Sequence, residues 1–284
     1  MTRAARGGRA RRAAPYAFLI AVAATFVFPL VWLLLTSVKP EREIYGYPIT
    51  ILPRHVTLAN YLYVVTRLAG FRRFFVNSVV VTGASVILIL ALSALGGYPL
   101  ARKSFPGKTV LFGFIALVIA VPWVIYLIPT FVMEDALGLR NSWLGLILPY
   151  VALNLPWALL IMRAAFIAIP QEIVDAARVD GAGEFQTWLR VLVPLTIPGL
   201  ATTFLIVFVF IWKEFLYAVT LMTESQWQTL PVGIIQIRAD LQSLAFNILS
   251  PTIIVALLPI FIVFLLLRNF VMGGILGAGG FGKE

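Results

Sequence analysis

The sequence predicts an all-α integral membrane protein with six transmembrane helices and both termini in the cytoplasm. Three observations carry this: an apolar composition, six long apolar runs, and an uneven placement of basic residues between them. Of 284 residues, 61% are hydrophobic and 12% charged, with a mean hydropathy of +0.97. Soluble domains are about 45–50% apolar, so this composition argues against a soluble enzyme. The net charge of +10 would suit nucleic acid. Here, however, the charges fall between apolar runs instead of forming a stripe, which is the pattern of membrane topology and speaks against nucleic acid as a partner. The absence of cysteine removes disulfides and thiolate metal sites. The single histidine, His55, has no ligand cluster around it in sequence, so no metal site is expected.

A hydrocarbon core of about 30 Å needs around 20 helical residues. Six runs qualify, near Pro15 to Val38, Phe74 to Leu95, Thr109 to Val132, Trp143 to Phe166, Pro198 to Thr220 and Phe246 to Leu267. Backbone groups in lipid must find partners within the protein, and no run shows the short alternation of a barrel strand, so each is expected as a helix. Arg3, Arg6, Arg9, Arg11 and Arg12 precede the first run as they would a cleavable signal. That run is too long for a signal core and lacks a convincing cleavage site, so it is expected as a retained helix.

An even number of spans puts both ends on one side, and basic residues choose that side. The arginine-rich start, the short connection with Arg102, Lys103 and Lys108, the connection with Arg178 and Arg190, and the end with Arg268 and Lys283 fall together and are assigned to the cytoplasm. Arg67, Arg72 and Arg73 lie on the other side, against the trend. The outer connections are then Lys39 to Arg73, with room for a short helix around Leu58 to Leu68, a brief one around Glu134 to Asn141, and Leu221 to Ala245. The expected organisation is a basic segment 1–14, a six-helix membrane domain 15–268 that contains a cytoplasmic connection 169–197, and a glycine-rich tail 269–284.

Several spans carry proline: Pro29, Pro122, Pro129, Pro149, Pro156, Pro251 and Pro259. Each removes a helical donor and favours a kink, which neighbouring helices tolerate or which shapes a central passage. Intramembrane polar residues, among them Asn77, Ser78, Thr82, Ser85, Asn154, Asn247 and Ser250, fit either a passage lining or hydrogen bonds between helices.

The connection 169–197 is the longest inner one. Pro170 suits a helix start, and Glu172 in the first turn complements the helix dipole. Gly181 and Gly183 permit a sharp reversal into a second short helix with Phe185, Trp188 and Leu189. On composition alone, this compact knob is equally a hairpin resting on the bilayer and a docking element.

The run Asp175-Ala176-Ala177, three residues, Gly181, nine residues, Val191, one residue, then Val193-Pro194 resembles the EAA loop of the membrane permease subunits of bacterial ATP-binding-cassette importers. The family's leading glutamate is Asp175 here, which keeps the charge and shortens its reach. The segments Asn141 to Tyr150, Ile169-Pro170-Gln171-Glu172 and Thr229-Leu230-Pro231-Val232-Gly233 are similar to the sugar-importer branch, in particular the subunit related to the second maltose permease. The resemblance implies the importer permease fold in a bacterial inner membrane, as half of a channel paired with a second homologous permease. It further implies two ATP-binding subunits that bind ATP and Mg, and an extracytoplasmic solute-binding protein. Glu172, Asp175, Ala176, Ala177, Asp180, Gly181, Val191, Val193 and Pro194 would form the loop that couples to the ATPase.

No ATPase site and no cofactor are expected in this chain itself. Pro106-Gly107-Lys108-Thr109 fails as a phosphate loop, because Arg102 stands where the upstream glycine is needed and the segment is a turn between spans. Lys213 departs from the family, where asparagine is usual. Adjacent helical residues do not face each other, so Lys213 and Glu214 each need their own surroundings. Either Lys213 snorkels while Glu214 binds a backbone group or partner subunit, or Lys213 faces the passage and favours an acidic sugar. Asn77, Asn154, Lys213, Glu214 and Asn247 are the pathway candidates. An ion-gradient-driven secondary transporter and a non-transporting membrane scaffold are the alternatives. The lack of a convincing inverted repeat and the elaborate inner connection weigh against them.

Overall fold

The computed structural model describes residues 4–240 and 245–278, with side chains for 15–239 and 245–270, and every regular element in it is helical. Arg3 and Lys283, from the expected basic start and glycine-rich tail, lie outside the described residues. In chain order the helices begin with α1 (Ala4–Ser37), α2 (Glu41–Ile44), α3 (Ala59–Thr66), α4 (Phe71–Arg102) and α5 (Lys108–Ala120). A 3-10 turn (Trp123–Tyr126) leads to α6 (Leu127–Ala136), α7 (Leu144–Ile167), α8 (Gln171–Val179) and α9 (Glu184–Gln186). A π-helical stretch (Thr187–Leu192) then precedes α10 (Val193–Leu195), α11 (Ile197–Trp212), α12 (Leu216–Leu221), α13 (Leu230–Asp240) and α14 (Phe246–Ala278).

Among the described residues, four helices are long and apolar enough to cross a membrane: Pro15–Ser37, Phe71–Arg102, Leu144–Ile167 and Phe246–Phe270. Counting each of two bent pairs as one span gives six by length and composition. The third run, expected as one helix, instead turns by 93° between Lys108–Ala120 and Trp123–Ala136. Pro122 sits in the break, and Val121 before it is extended at φ −81°, ψ 126°, as the proline ring requires of its neighbour. The fifth run also differs. Expected as one helix over Pro198 to Thr220, it is interrupted where the chain leaves α11 at Lys213 to Phe215 before α12 begins, while the 70° bend between Glu184–Leu195 and Ile197–Trp212 falls just before it. Glu214 supports that second start: its carboxylate accepts from the Tyr217 and Ala218 amides at 2.9 and 3.2 Å, two of the donors a new helix leaves unpaired.

Two compact units divide the chain, residues 1–69 with 234–257 and residues 70–233 with 258–284. In the first, the end of α1 is tied to the segment after it. Asn60 donates to the Ser37 and Lys39 carbonyls at 3.0 and 2.8 Å, and Lys39 Nζ donates to the Thr50 carbonyl. Glu43 accepts from the Arg54 and His55 amides and the Thr50 hydroxyl. The Arg54 amide above all holds this carboxyl below its ordinary pKa. The helix expected around Leu58 to Leu68 is α3.

In the second unit α4 and α7 lie side by side and run in the same direction. At one end Trp143 Nε1 donates to Asn77 Oδ1 at 3.1 Å; at the other Arg102 reaches the Phe166 carbonyl at 2.8 Å. Their contact is close because glycine lets it be. A Cβ on Gly97 would stand 2.9 Å from Met162 Cβ, and one on Gly96 would stand 2.7 Å from Leu159 Cδ2. Against α7 as well, a Cβ on Gly199 of α11 would come to 2.5 Å from Ala165 Cβ. Val81, Val86, Ile89, Leu146, Tyr150, Val207 and Ile211 fill the space between these three helices. Gly97→Leu is therefore expected to cost about 1–3 kcal/mol by overpacking and to lower the thermal unfolding midpoint in detergent. Gly113→Leu, where a Cβ would meet nothing within 4 Å, should leave the midpoint in place. Equal midpoints for the two variants would contradict this packing.

Candidate coupling loop

The connection between α7 and α11 is built as two short limbs on an apolar base. Pro170, at φ −57° and ψ 143°, starts α8, and Glu172 lies in its first turn. Val174 and Ala177 face inward, whereas Glu172, Asp175, Ala176 and Val179 are exposed, Val179 at 87%. The helix ends in a glycine-dependent cap: the Ala182 amide donates to Ala177 O and the Gly181 amide to Arg178 O, both at 3.0 Å, with Gly181 left-handed at φ 80°. These are the two bonds that close a helix through a C′ glycine. Gly183 then opens α9, its amide donating to Gln186 Oε1 at 3.3 Å.

Five residues, Ala94 and Tyr98 near the C-terminal end of α4, Met162 and Phe166 near that of α7, and Ile169 between α7 and α8, form an apolar seat with Val174 of α8 and Leu192 of the second limb. The second limb is π-helical over Thr187–Leu192, two residues before Pro194, whose ring cannot supply a helical donor. Trp188 Nε1 donates to the Ala94 carbonyl at 3.2 Å, and Glu184 pairs with Lys103 at 2.5 Å. The loop thus buries one side and presents the other. On the presented side Asp175 accepts from Gln171 Nε2 at 3.1 Å and lies 3.6 Å from Arg178; an ion pair this exposed contributes little and leaves the carboxylate open to a partner.

The sequence-derived coupling residues therefore divide. Glu172, Asp175, Ala176, Asp180, Gly181 and Pro194 are exposed, Val191 and Val193 are half-buried, and Ala177 packs inward. The pathway candidates do not come together as one set. Asn77 is buried and holds the segment after α12, its amide donating to the Gln226 and Gln228 carbonyls at 2.9 Å each. Asn154 is buried and donates to Tyr150 O within its own helix. Glu214 is buried on the α12 start and accepts from the Tyr150 hydroxyl at 2.5 Å. Lys213 is exposed at the break beside it. Asn247 belongs to the other unit, half-buried, with Oδ1 unpartnered.

Sequence reasoning missed the cluster at the far end of α4 and α7. Asn141, at φ 53°, accepts from the Glu224 amide at 3.0 Å and donates to Thr223 Oγ1, while Ser78 accepts from the Leu230 amide at 2.8 Å. The motif segments Asn141 to Tyr150 and Thr229 to Gly233 are thus two sides of one knot, pinned by Asn77 and Ser78. It also missed the two-helix role of Arg102, which the sequence marked as one of the basic residues in a short connection between spans.

Residues 93–273 match the family of binding-protein-dependent transport system inner membrane components. The chain is 35% identical to the sulfoquinovosyl glycerol transport system permease protein of Agrobacterium fabrum, over 89% of this chain and 88% of that protein. It is 30% identical to the diacetylchitobiose uptake system permease protein of Streptomyces coelicolor, over 96% and 90% of the two chains. Its fold matches a crystal structure of a bacterial ABC transporter involved in the import of alginate, with a TM-score of 0.82 at 21% identity, covering 94% of this chain and 98% of that one. With the six apolar segments and the two-limbed loop on its helical seat, these matches settle the class: the chain belongs to the inner-membrane permease subunits of binding-protein-dependent ATP-binding-cassette importers.

Proposed function

We propose that this permease forms half of the passage for a sugar or related solute, paired with a second homologous permease. Two separate subunits bind ATP and Mg and hydrolyse the nucleotide, and a solute-binding protein delivers the solute from outside. The observation that carries this reading is the loop geometry: Asp175, Ala176, Val179 and Asp180 stand exposed on a seat packed into the membrane helices. Small Ala176 lets another backbone come close, and the neighbouring carboxylates supply orientation. The names of the two relatives, each a permease for a sugar-containing solute, support the substrate class.

Gly181 puts the loop at risk most directly. A Cβ there would meet nothing within 4 Å of this chain, so the penalty for a larger residue is conformational: about 1–2 kcal/mol for a left-handed residue, more for a β-branched one. That is roughly a tenfold loss of the native turn. Gly181→Val is expected to insert at normal abundance while ATP-dependent import falls about tenfold, either because ATPase subunits no longer copurify or because they stay bound and hydrolyse without transport. Normal import at equal protein level, together with normal import after deletion of Asp175 to Gly183, would remove the loop from the mechanism.

Among the pathway candidates, Lys213 is the exposed cation at a helix break, and we assign it to favouring acidic over neutral solutes. Lys213→Asn should narrow the difference between import of a charged sugar and its neutral counterpart. An unchanged ratio would exclude that role.

A further inference from the structure

A helix that ends inside a membrane protein leaves four carbonyls without intrahelical partners, and in a dry setting each needs a donor. The inner ends of α4 and α7 meet this need with arginines exchanged between them. Arg102, the last residue of α4, donates through Nε to the Phe166 carbonyl at 3.2 Å. Through Nη2 it donates to Phe166 O at 2.8 Å, Ile167 O at 3.5 Å and Ile169 O. Its Nη1 donates to Gln171 Oε1 in the first turn of α8 at 3.0 Å. In return Arg163 of α7 donates through Nε to Leu100 O of α4 at 3.2 Å, with its guanidinium 4.7 Å above the Phe112 ring. A planar fork with five donors serves several carbonyls at once; an ammonium, as a point charge, does not.

The neighbouring contacts extend the tie to the second limb of the loop. Lys103 holds Glu184 at the start of that limb, and Trp188 Nε1 is bonded to Ala94 O. α4 is not joined to the loop by chain, yet it is bonded to both limbs. At its other end Asn77 holds the Gln226 and Gln228 carbonyls. Asn77 and Arg102 belong to one uninterrupted helix, and at 1.5 Å per residue they stand about 38 Å apart.

We propose that Arg102 is a positioning residue for energy coupling: it makes the loop and α4 move together, so that α4 carries a displacement of the loop to the outer segment at Gln226 to Leu230. This rests on the reading of the loop as the ATPase contact. A loop anchored only by its chain ends would act on α7 and α11; the arginine adds α4 as a third, full-length lever. Glutamine at 102 keeps a donor but loses the fork and the charge, and lysine keeps the charge but not the fork.

The test uses the assembled complex of permease pair, ATPase subunits and binding protein in lipid vesicles. The chain is free of cysteine, so Ser225→Cys, on an exposed position, takes a single fluorophore when this chain is labelled before assembly with its partners. The probe is ATP with Mg and vanadate, and the readout is the fluorescence change at position 225 alongside ATP hydrolysis without vanadate. Ala176→Cys crosslinked to the ATPase subunit reports loop contact separately. With Arg102→Gln the outer response is expected to fall at least about tenfold while the crosslink forms and hydrolysis continues; Arg102→Lys should recover part of it. A merely structural role would lower the response, the crosslink and hydrolysis together, and that result overturns the proposal, as does an undiminished response. If Arg102→Gln does not insert, Arg102→Lys decides alone: a reduced response with intact crosslinking supports the lever, and a full response overturns it. Failure of the Ala176→Cys crosslink in the otherwise native chain would instead overturn the reading of the loop as the ATPase contact.

Discussion

The close parallel packing of α4 against α7 is the constraint on which the second unit depends. Gly96 and Gly97 remove the two side chains that would hold these helices apart, and without a solvent-driven hydrophobic effect between helices in lipid, such close contact is a principal source of association. Because the two helices run the same way, their starts and ends coincide. One shared end gathers Asn77, Asn141 and Trp143 around the segment after α12, and the other gathers Arg102, Arg163 and the apolar seat of the candidate coupling loop. Both clusters follow from one helix contact.

The second recurrent theme is the fate of helix termini. Breaks at Pro122 and at Lys213 to Phe215 release backbone groups that lipid cannot satisfy. The protein supplies partners locally. Glu214 accepts the Tyr217 and Ala218 amides and is itself held by the Tyr150 hydroxyl, while the Tyr217 hydroxyl reaches the Trp123 carbonyl at the start of the 3-10 turn after Pro122. The two broken runs are thereby joined. A carboxylate that sequence alone left between a backbone group or partner subunit and the passage is engaged with backbone amides at a helix start, with the neighbouring lysine left exposed.

Long-range hydropathy made the six apolar segments legible, because each run is close to the length a bilayer demands. The loop was legible for a local reason: Pro170 and Gly181 act on their own backbone, and the structure places a helix start at one and a left-handed residue at the other. The bends were not legible in angle. Pro122 announced a kink, but whether a helix runs on through its prolines, as α7 does through Pro149 and Pro156, or parts by 93° depends on what packs beside it. Asn77 and Arg102 were legible as polar residues and not as ties, since their partners lie 149 and 64 positions away in the chain. Ala177 shows the same limit at short range. It shares a motif with Ala176, yet the 100° between successive helical residues turns one inward and the other out.

In this account, the loop and the C-terminal ends of α4 and α7 form a single body held by the arginine exchange, the Lys103–Glu184 pair and the apolar seat around Phe166. The direct measurement is a spin-label distance between cysteines introduced at Ser104, in the exposed turn after α4, and at Val179, on the exposed side of α8. It would be recorded in the assembled complex without nucleotide and with ATP trapped. One body predicts the same narrow distance distribution in both states, whatever else the complex does. A distribution that shifts or splits when ATP is trapped would show the loop moving against α4 and contradict the account.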